Sequence, residues 1–175
     1  MIELVLGGAR SGKSRYAERQ AVNSGLECIY LATAQALDAE MGARILLHQQ
    51  QREGWVTVEE PLNLAQTLRN MAQPQRCIMV DCLTLWLSNC LHQEMWAVAK
   101  AEFLACLPTL PGSIILVSNE VGSGIVPLGE LTRQFVDESG WLHQAVAGYA
   151  DKVTWVVAGL PQVLKDNTRS RMRRV

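Results

Sequence analysis

The chain has 175 residues, 49% of them hydrophobic and 19% charged, and a formal net charge of −1. That length favours a single domain, 1–175, able to bury a real core. The composition excludes a disordered chain and the broad basic surface of a nucleic-acid binder. No stretch approaches the roughly 18 apolar residues of a membrane helix, and residues 1–6 lack the regions of a signal peptide, so the expected address is the cytoplasm. The five cysteines, Cys28, Cys77, Cys82, Cys90 and Cys106, form no C-x-x-C pair and read as reduced core thiols. The one basic cluster, "RSRMRR" (Arg169 to Arg174), lies in a tail of about 166–175 and reads as a solvated end.

In chain order, "IELVLGG" reads as a buried strand and "GKSRYAERQAVNSG" as a helix with Ala17 and Ala21 on one side, stopped by Gly25. "CIYLATA" is a second strand. Residues 38 to about 52 read as a helix, with Asp38 suited to its N-cap and Gly54 beyond its expected end. "VTVEEP" is a short edge strand closed by Pro61, and "LNLAQTLRNMA" is an amphipathic helix. "RCIMVDCLTLWLSN" begins as a strand and becomes a helix, and "MWAVAKAEFLACL" is another helix. "GSIILVSNEVG" is a strand entering a polar loop. "LTRQFVDESGWLHQAVAGYADK" is helical with a candidate break at Gly140, and "VTWVVAGLP" is the last strand. The strands are continuous apolar runs, as in a parallel sheet covered on both faces. Their alternation with helices implies crossover units and an α/β fold. In such sheets ligands gather at the carboxyl ends of the strands. The polar clusters "GGARSGKS", "ATA", "DCLT" and "SNEVGSG" fall there.

Gly7-Gly8-Ala9-Arg10-Ser11-Gly12-Lys13-Ser14 matches the phosphate-loop pattern G-x-x-x-x-G-K-[ST] in full, with a strand before it and a helix after it. Its N–H groups and the helix N-terminus would cradle phosphate oxygens. Lys13 would reach the β- and γ-phosphates, and the Ser14 hydroxyl would ligate Mg2+. Asp81, ending the run "CIMV", suits either a second Mg2+ anchor or the N-cap of the following helix, and the two roles are compatible. No N-K-x-D occurs, so the chain does not read as a Ras-type switch.

In the segment "DAEMGARILLHQQQREG", Glu40, Arg44, His48 and Arg52 recur every four residues and would share one helix face. Two guanidinium groups beside His48 would hold its imidazole neutral and nucleophilic. The same spacing equally describes a solvated surface helix, and the residues alone leave both readings open. His92 and His143 carry no such pattern.

From residue 2 to about 165 the chain resembles the bifunctional adenosylcobinamide kinase / adenosylcobinamide-phosphate guanylyltransferase family of cobalamin biosynthesis. The resemblance rests on "GGARSGKSRYAE", "YLATAQALDAEMGARI", "RI-x-x-H" at Arg44 to His48, "W-x-T-V-E-E-P" at Trp55 to Pro61, "VDCLTLWLSN", "VSNEVGSGIVP" and "AGLPQVLK". It implies a P-loop, RecA-like fold, with a mostly parallel sheet between helices, and a homotrimer. It implies phosphorylation of adenosylcobinamide by ATP or GTP, followed by transfer of GMP from GTP to adenosylcobinamide phosphate. His48 matches the guanylylated histidine, with Lys13 as the second catalytic residue. Ala32, Thr33, Ala34, Gln49, Gln50, Gln51, Arg52 and Glu59 match positions beside the nucleotide. The chain departs from the family at Glu53, where relatives usually carry proline, and at His143, where they often carry asparagine. Two other readings stay open at this point: a small-metabolite kinase using γ-phosphate transfer alone, and a nucleotide-binding regulatory module without transfer chemistry.

Overall fold

The computed structural model describes residues 1–34 and 54–168. The helix expected over 38–52 lies outside the described residues. Seven strands form one sheet among the described residues: β1 (Ile2–Gly7), β2 (Glu27–Ala32), β3 (Val56–Glu59), β4 (Arg76–Asp81), β5 (Ser113–Asn119), β6 (Lys152–Val157) and β7 (Leu160–Asp166). Their order is β3-β2-β4-β5-β1-β6-β7. Every pairing is parallel except β6 with β7. Five helices cover the sheet in the described residues: α1 (Lys13–Asn23), α2 (Leu64–Met71), α3 (Leu83–His92), α4 (Trp96–Cys106) and α5 (Glu130–Tyr149).

The apolar runs become central strands because both faces of the sheet are covered. Alternate residues separate cleanly. Leu4, Ile29, Leu31, Ile78, Val80, Ile114 and Leu116 face α2 to α5, while Val5, Tyr30, Cys77, Met79, Ile115 and Val117 face α1. Helix α1 meets the sheet through Tyr16, Ala17 and Ala21, and the two alanines let it lie close. On the other face Trp86 is fully buried. Its ring centroid stands 5.2 Å from Trp96 and 4.9 Å from Phe103 in edge and tilted contacts, which favour aromatic pairs. Its indole N–H donates to the Leu62 carbonyl at 2.8 Å.

Two expectations change. Helix α5 runs unbroken through Gly140, with Ser139, Leu142 and Val146 buried along it. A mid-helix glycine costs only about 1 kcal/mol relative to alanine, less than that packing returns. The chain also does not end its sheet at "VTWVVAGLP". Ala158 and Gly159, with φ of 51° and 79°, turn it back into antiparallel β7. All five cysteines are free, four of them buried, as expected of core thiols.

A buried carboxylate lies inside the α1 face. Glu3 is 1% exposed. Its Oε1 accepts from the Tyr16 hydroxyl at 3.1 Å and the Thr154 hydroxyl at 3.0 Å, and lies 3.1 Å from the Lys152 ammonium. Lys152 also donates to the Tyr16 oxygen at 2.9 Å. Burial works against the Lys152 charge, but Tyr16 and Glu3 outweigh it and hold the ammonium above its ordinary range. Removing one member of such a pair strands the other charge. Lys152→Met is therefore expected to lower unfolding free energy by about 3 kcal/mol in urea titrations at neutral pH. A loss under about 1 kcal/mol would show that water or the hydroxyl groups suffice for Glu3.

Candidate active site

The loop between β1 and α1 lines a cleft of about 950 Å³, together with Arg15, Arg19, Asn119 and Gly159. Gly12 sits just before α1 with φ of 92°, a left-handed conformation that suits glycine. No side chain caps α1, and its first turn carries no acidic residue, so the first N–H groups stay available to an anion. Lys13 is 8% exposed and curls over the loop, its ammonium donating to the Gly8 carbonyl at 3.2 Å. The β6–β7 turn props the loop from beneath. Gly159 N–H donates to the Ser11 carbonyl at 2.8 Å, and a Cβ on Gly12 would come within 3.2 Å of Gly159 Cα.

The parallel register brings the other polar strand ends to the same edge. Gly7 lies opposite Asn119, and Ala32 lies between Glu59 and Asp81. Asp81 receives the Tyr30 hydroxyl at 3.5 Å. Thr33 is fully buried and clamps the next strand end. Its hydroxyl donates to the Cys82 carbonyl at 2.7 Å and accepts from the Cys82 N–H at 2.9 Å. The Asn89 side chain bridges the Thr33 and Pro61 carbonyls at 2.9 and 3.1 Å. Thr84 Oγ1 lies 3.1 Å from Cys82 Sγ and accepts from Asn119 Nδ2 at 3.0 Å. Burial raises the Cys82 thiol above its ordinary range, Asp81 adding to the effect, so it serves as a neutral packing group.

Behind Asn119, His143 Nε2 lies 2.7 Å from the buried Ser118 hydroxyl. Burial drives the His143 pKa down to about 4, against the opposing pull of the Glu120 carboxylate. The imidazole is therefore neutral at physiological pH and acts as a hydrogen-bonding strut between α5 and β5.

Of the residues singled out from sequence, Ala9 to Ser14 line the cleft, while Gly7 ends β1 and Gly8 accepts the Lys13 ammonium, neither lining it. Ala32, Thr33, Ala34, Glu59 and Asp81 sit along the same strand edge. Thr33 has its N–H, carbonyl and hydroxyl all engaged by the chain itself. His48, Gln49, Gln50, Gln51 and Arg52 lie outside the described residues. Sequence reasoning did not single out Arg15, Arg19, Asn119 or Gly159. A signal existed for the first three: Arg15 and Arg19 are one turn apart on the helix that follows the loop, and Asn119 ends an apolar run within "SNEVGSG". Among the described residues no helix is long and apolar enough to cross a membrane.

A family model described as CobU, cobinamide kinase / cobinamide phosphate guanyltransferase, matches residues 3–164. A "bifunctional adenosylcobalamin biosynthesis protein CobP" of Pseudomonas aeruginosa is 58% identical, over 94% of this chain and 98% of its own length. The "bifunctional adenosylcobalamin biosynthesis protein CobU" of Escherichia coli is 37% identical, over 94% of this chain and 100% of its own. Among solved structures, the RadB recombinase superposes with a TM-score of 0.52 at 14% identity, covering 88% of this chain and 73% of that one. A KaiC-like protein from Pyrococcus horikoshii superposes with a TM-score of 0.50, also at 14% identity, covering 88% and 69%. These likenesses confirm the mostly parallel, P-loop, RecA-like fold.

The His143 strut has a measurable pH signature. The unfolded chain takes up the imidazole proton near pH 6.5 and the folded chain only near 4. Its contribution to stability is thus complete above about pH 6.5 and is lost as the pH falls through that window. Between pH 7.5 and 5.0 the protein should lose about 2 kcal/mol more unfolding free energy than His143→Asn does. Equal losses in denaturant titrations of the two proteins would remove His143 from this role.

Proposed function

We infer what this site does from the family to which the chain belongs, the cobinamide kinase / cobinamide phosphate guanyltransferase family. On that premise the protein is a bifunctional enzyme of cobalamin biosynthesis. It phosphorylates adenosylcobinamide with ATP or GTP and then moves GMP from GTP onto the resulting phosphate. The observation that carries this reading is the loop Gly7 to Ser14. It opens onto a cleft large enough for a nucleotide and flanked by Arg10, Arg15 and Arg19.

The residues present fit a Mg2+-triphosphate. Ser14 lines the cleft at the start of α1, and Asp81 ends β4 on the same edge of the sheet, so both offer hard oxygen ligands. The ion would neutralise the β- and γ-phosphates. Lys13, Arg10 and the loop N–H groups hold the remaining charge in place.

In the kinase step the corrinoid hydroxyl oxygen bonds to the γ-phosphorus and the β–γ bridging bond breaks. In the transferase step the His48 imidazole bonds to the α-phosphorus of GTP and pyrophosphate leaves. The phosphate of adenosylcobinamide phosphate then attacks the same phosphorus. The P–N bond breaks, and adenosylcobinamide-GDP forms. Protonated imidazole is a good leaving group, which suits a transient carrier. The stripe of Arg44, His48 and Arg52 supports His48 in that role. Ala32, Thr33, Ala34, Gln49, Gln50, Gln51, Arg52 and Glu59 belong to the nucleotide's surroundings in this reading. A homotrimer in the cytoplasm completes it, supported by the exposed apolar side chains Ile125, Leu128, Trp141 and Leu160.

GTP labelled separately at the α- and γ-phosphates tests the reading. With Mg2+, the α-label alone should become attached to the protein in an acid-labile, alkali-stable form. His48→Ala should lose that label and the transferase activity while keeping γ-transfer to cobinamide within about tenfold, because phosphoryl transfer depends on positioning rather than on a nucleophile from the protein. γ-Transfer with no covalent α-label would reduce the protein to a simple kinase. Neither label nor transfer would leave a nucleotide-binding module.

A further inference from the structure

We propose that Asn119 holds the acceptor hydroxyl for the kinase reaction through its side-chain carbonyl oxygen, and that Thr84 sets the amide for this task. The inference rests on the two-step reading above and goes beyond it by giving one residue to one step.

The location comes from strand order. Strand β5 lies between β1 and β4, so its carboxyl end stands between the phosphate loop and Asp81. Lys13 reaches for the β- and γ-phosphates, and Ser14 with Asp81 would hold the ion that bridges them. A side chain between these groups faces the terminal phosphate. Asn119 is at that point, and it lines the cleft together with Lys13 and Ser14.

The orientation comes from Thr84, which is 4% exposed. Its hydroxyl oxygen accepts from Asn119 Nδ2 at 3.0 Å and from the Asn119 backbone N–H at 3.4 Å, and Cys82 Sγ backs it at 3.1 Å. With its NH2 group turned to Thr84, the Asn119 amide leaves Oδ1 as its acceptor on the cleft side. A carbonyl oxygen beside phosphate oxygens is repelled by them, since both are acceptors. The ligand it suits is a donor, and the donor that must come within bonding distance of the γ-phosphorus is the acceptor alcohol.

Held there, the alcohol oxygen forms the new P–O bond. The bond from the γ-phosphorus to the bridging oxygen breaks, and the nucleoside diphosphate leaves with that electron pair. The hydroxyl proton is released to water, since a neutral amide orients it without taking it. The transferase reaction has no such alcohol. Its acceptor is a phosphate, which Oδ1 does not favour. An Asn119 that instead served Lys13 or an ion-bound water would support both reactions alike, because both use the same triphosphate.

The test compares kinase and transferase turnover in the same preparations, with GTP KM and thermal unfolding alongside. Asn119→Ala should lower the ratio of kinase to transferase turnover about 100-fold, the scale expected when a reacting group loses its positioning. Thr84→Val should lower the ratio in the same sense by about tenfold, and Thr84→Ser should restore it. Equal losses in the two reactions, or an unchanged ratio, would overturn the assignment. Should Asn119→Ala not fold, the Thr84 pair decides the matter by the same ratio. A wild-type protein without kinase activity would instead refute the two-step reading on which the assignment rests.

Discussion

The hydrogen bonds that tie β5 to β1 on one side and to β4 on the other place the site. They put Gly7 opposite Asn119 and Asp81 opposite Val117. A parallel ladder cannot align strands by a tight turn, so each alignment is imposed by a crossover and by the packing of its helix. A slip of one residue in either pairing would swap the sheet's two faces. It would also move Asp81 or Asn119 to the wrong side of the phosphate loop. The continuous apolar strands and the two dissimilar cores make that slip expensive. One face packs small alanines of α1, the other a buried tryptophan cluster.

The strand ends are then stiffened by side chains rather than by further backbone. Thr33 spans to Cys82, Asn89 to the carbonyls of Thr33 and Pro61, Thr84 to Asn119, and His143 to Ser118. None of these bonds needs a charge. Neutral donors and acceptors avoid placing fixed anions near a bound triphosphate, and burial keeps both Cys82 and His143 uncharged in this region. Among the described residues the one buried carboxylate, Glu3, is four residues upstream of Gly7 and engaged with Lys152, away from the cleft.

Much of this was legible in the sequence because it depends on local chemistry. The loop pattern, the strand before it and the small-residue helix after it are neighbours in the chain, and the apolar runs named the central strands directly. Strand β7 was not legible. Leu160, Gln162, Val163 and Leu164 are all exposed, so no alternation of buried and exposed residues marks it, and Pro161 argues against an interior strand. What makes it a strand is the turn at Ala158 and Gly159, where both residues take positive φ. Gly140 misled in the opposite direction, because tertiary burial of Leu142 and Val146 overrides its weak helix propensity. Asn119 escaped notice because its importance comes from strand order, which no short window of sequence contains. For His48 the four-residue spacing is one that a solvated surface helix shares, so its chemistry belongs to the proposed function.

The contact between Ser11 and Gly159 joins residues almost at opposite ends of the described chain, and the bond from the Ile2 N–H to the Asp151 carboxylate does the same at the other end of the β1–β6 pair. A ribosome delivers the phosphate loop first and its prop last. Until residue 159 has left the exit tunnel, the loop has no partner beneath it, whatever α1 has already done. The loop thus gains this prop late in synthesis, when the final hairpin closes against the first strand.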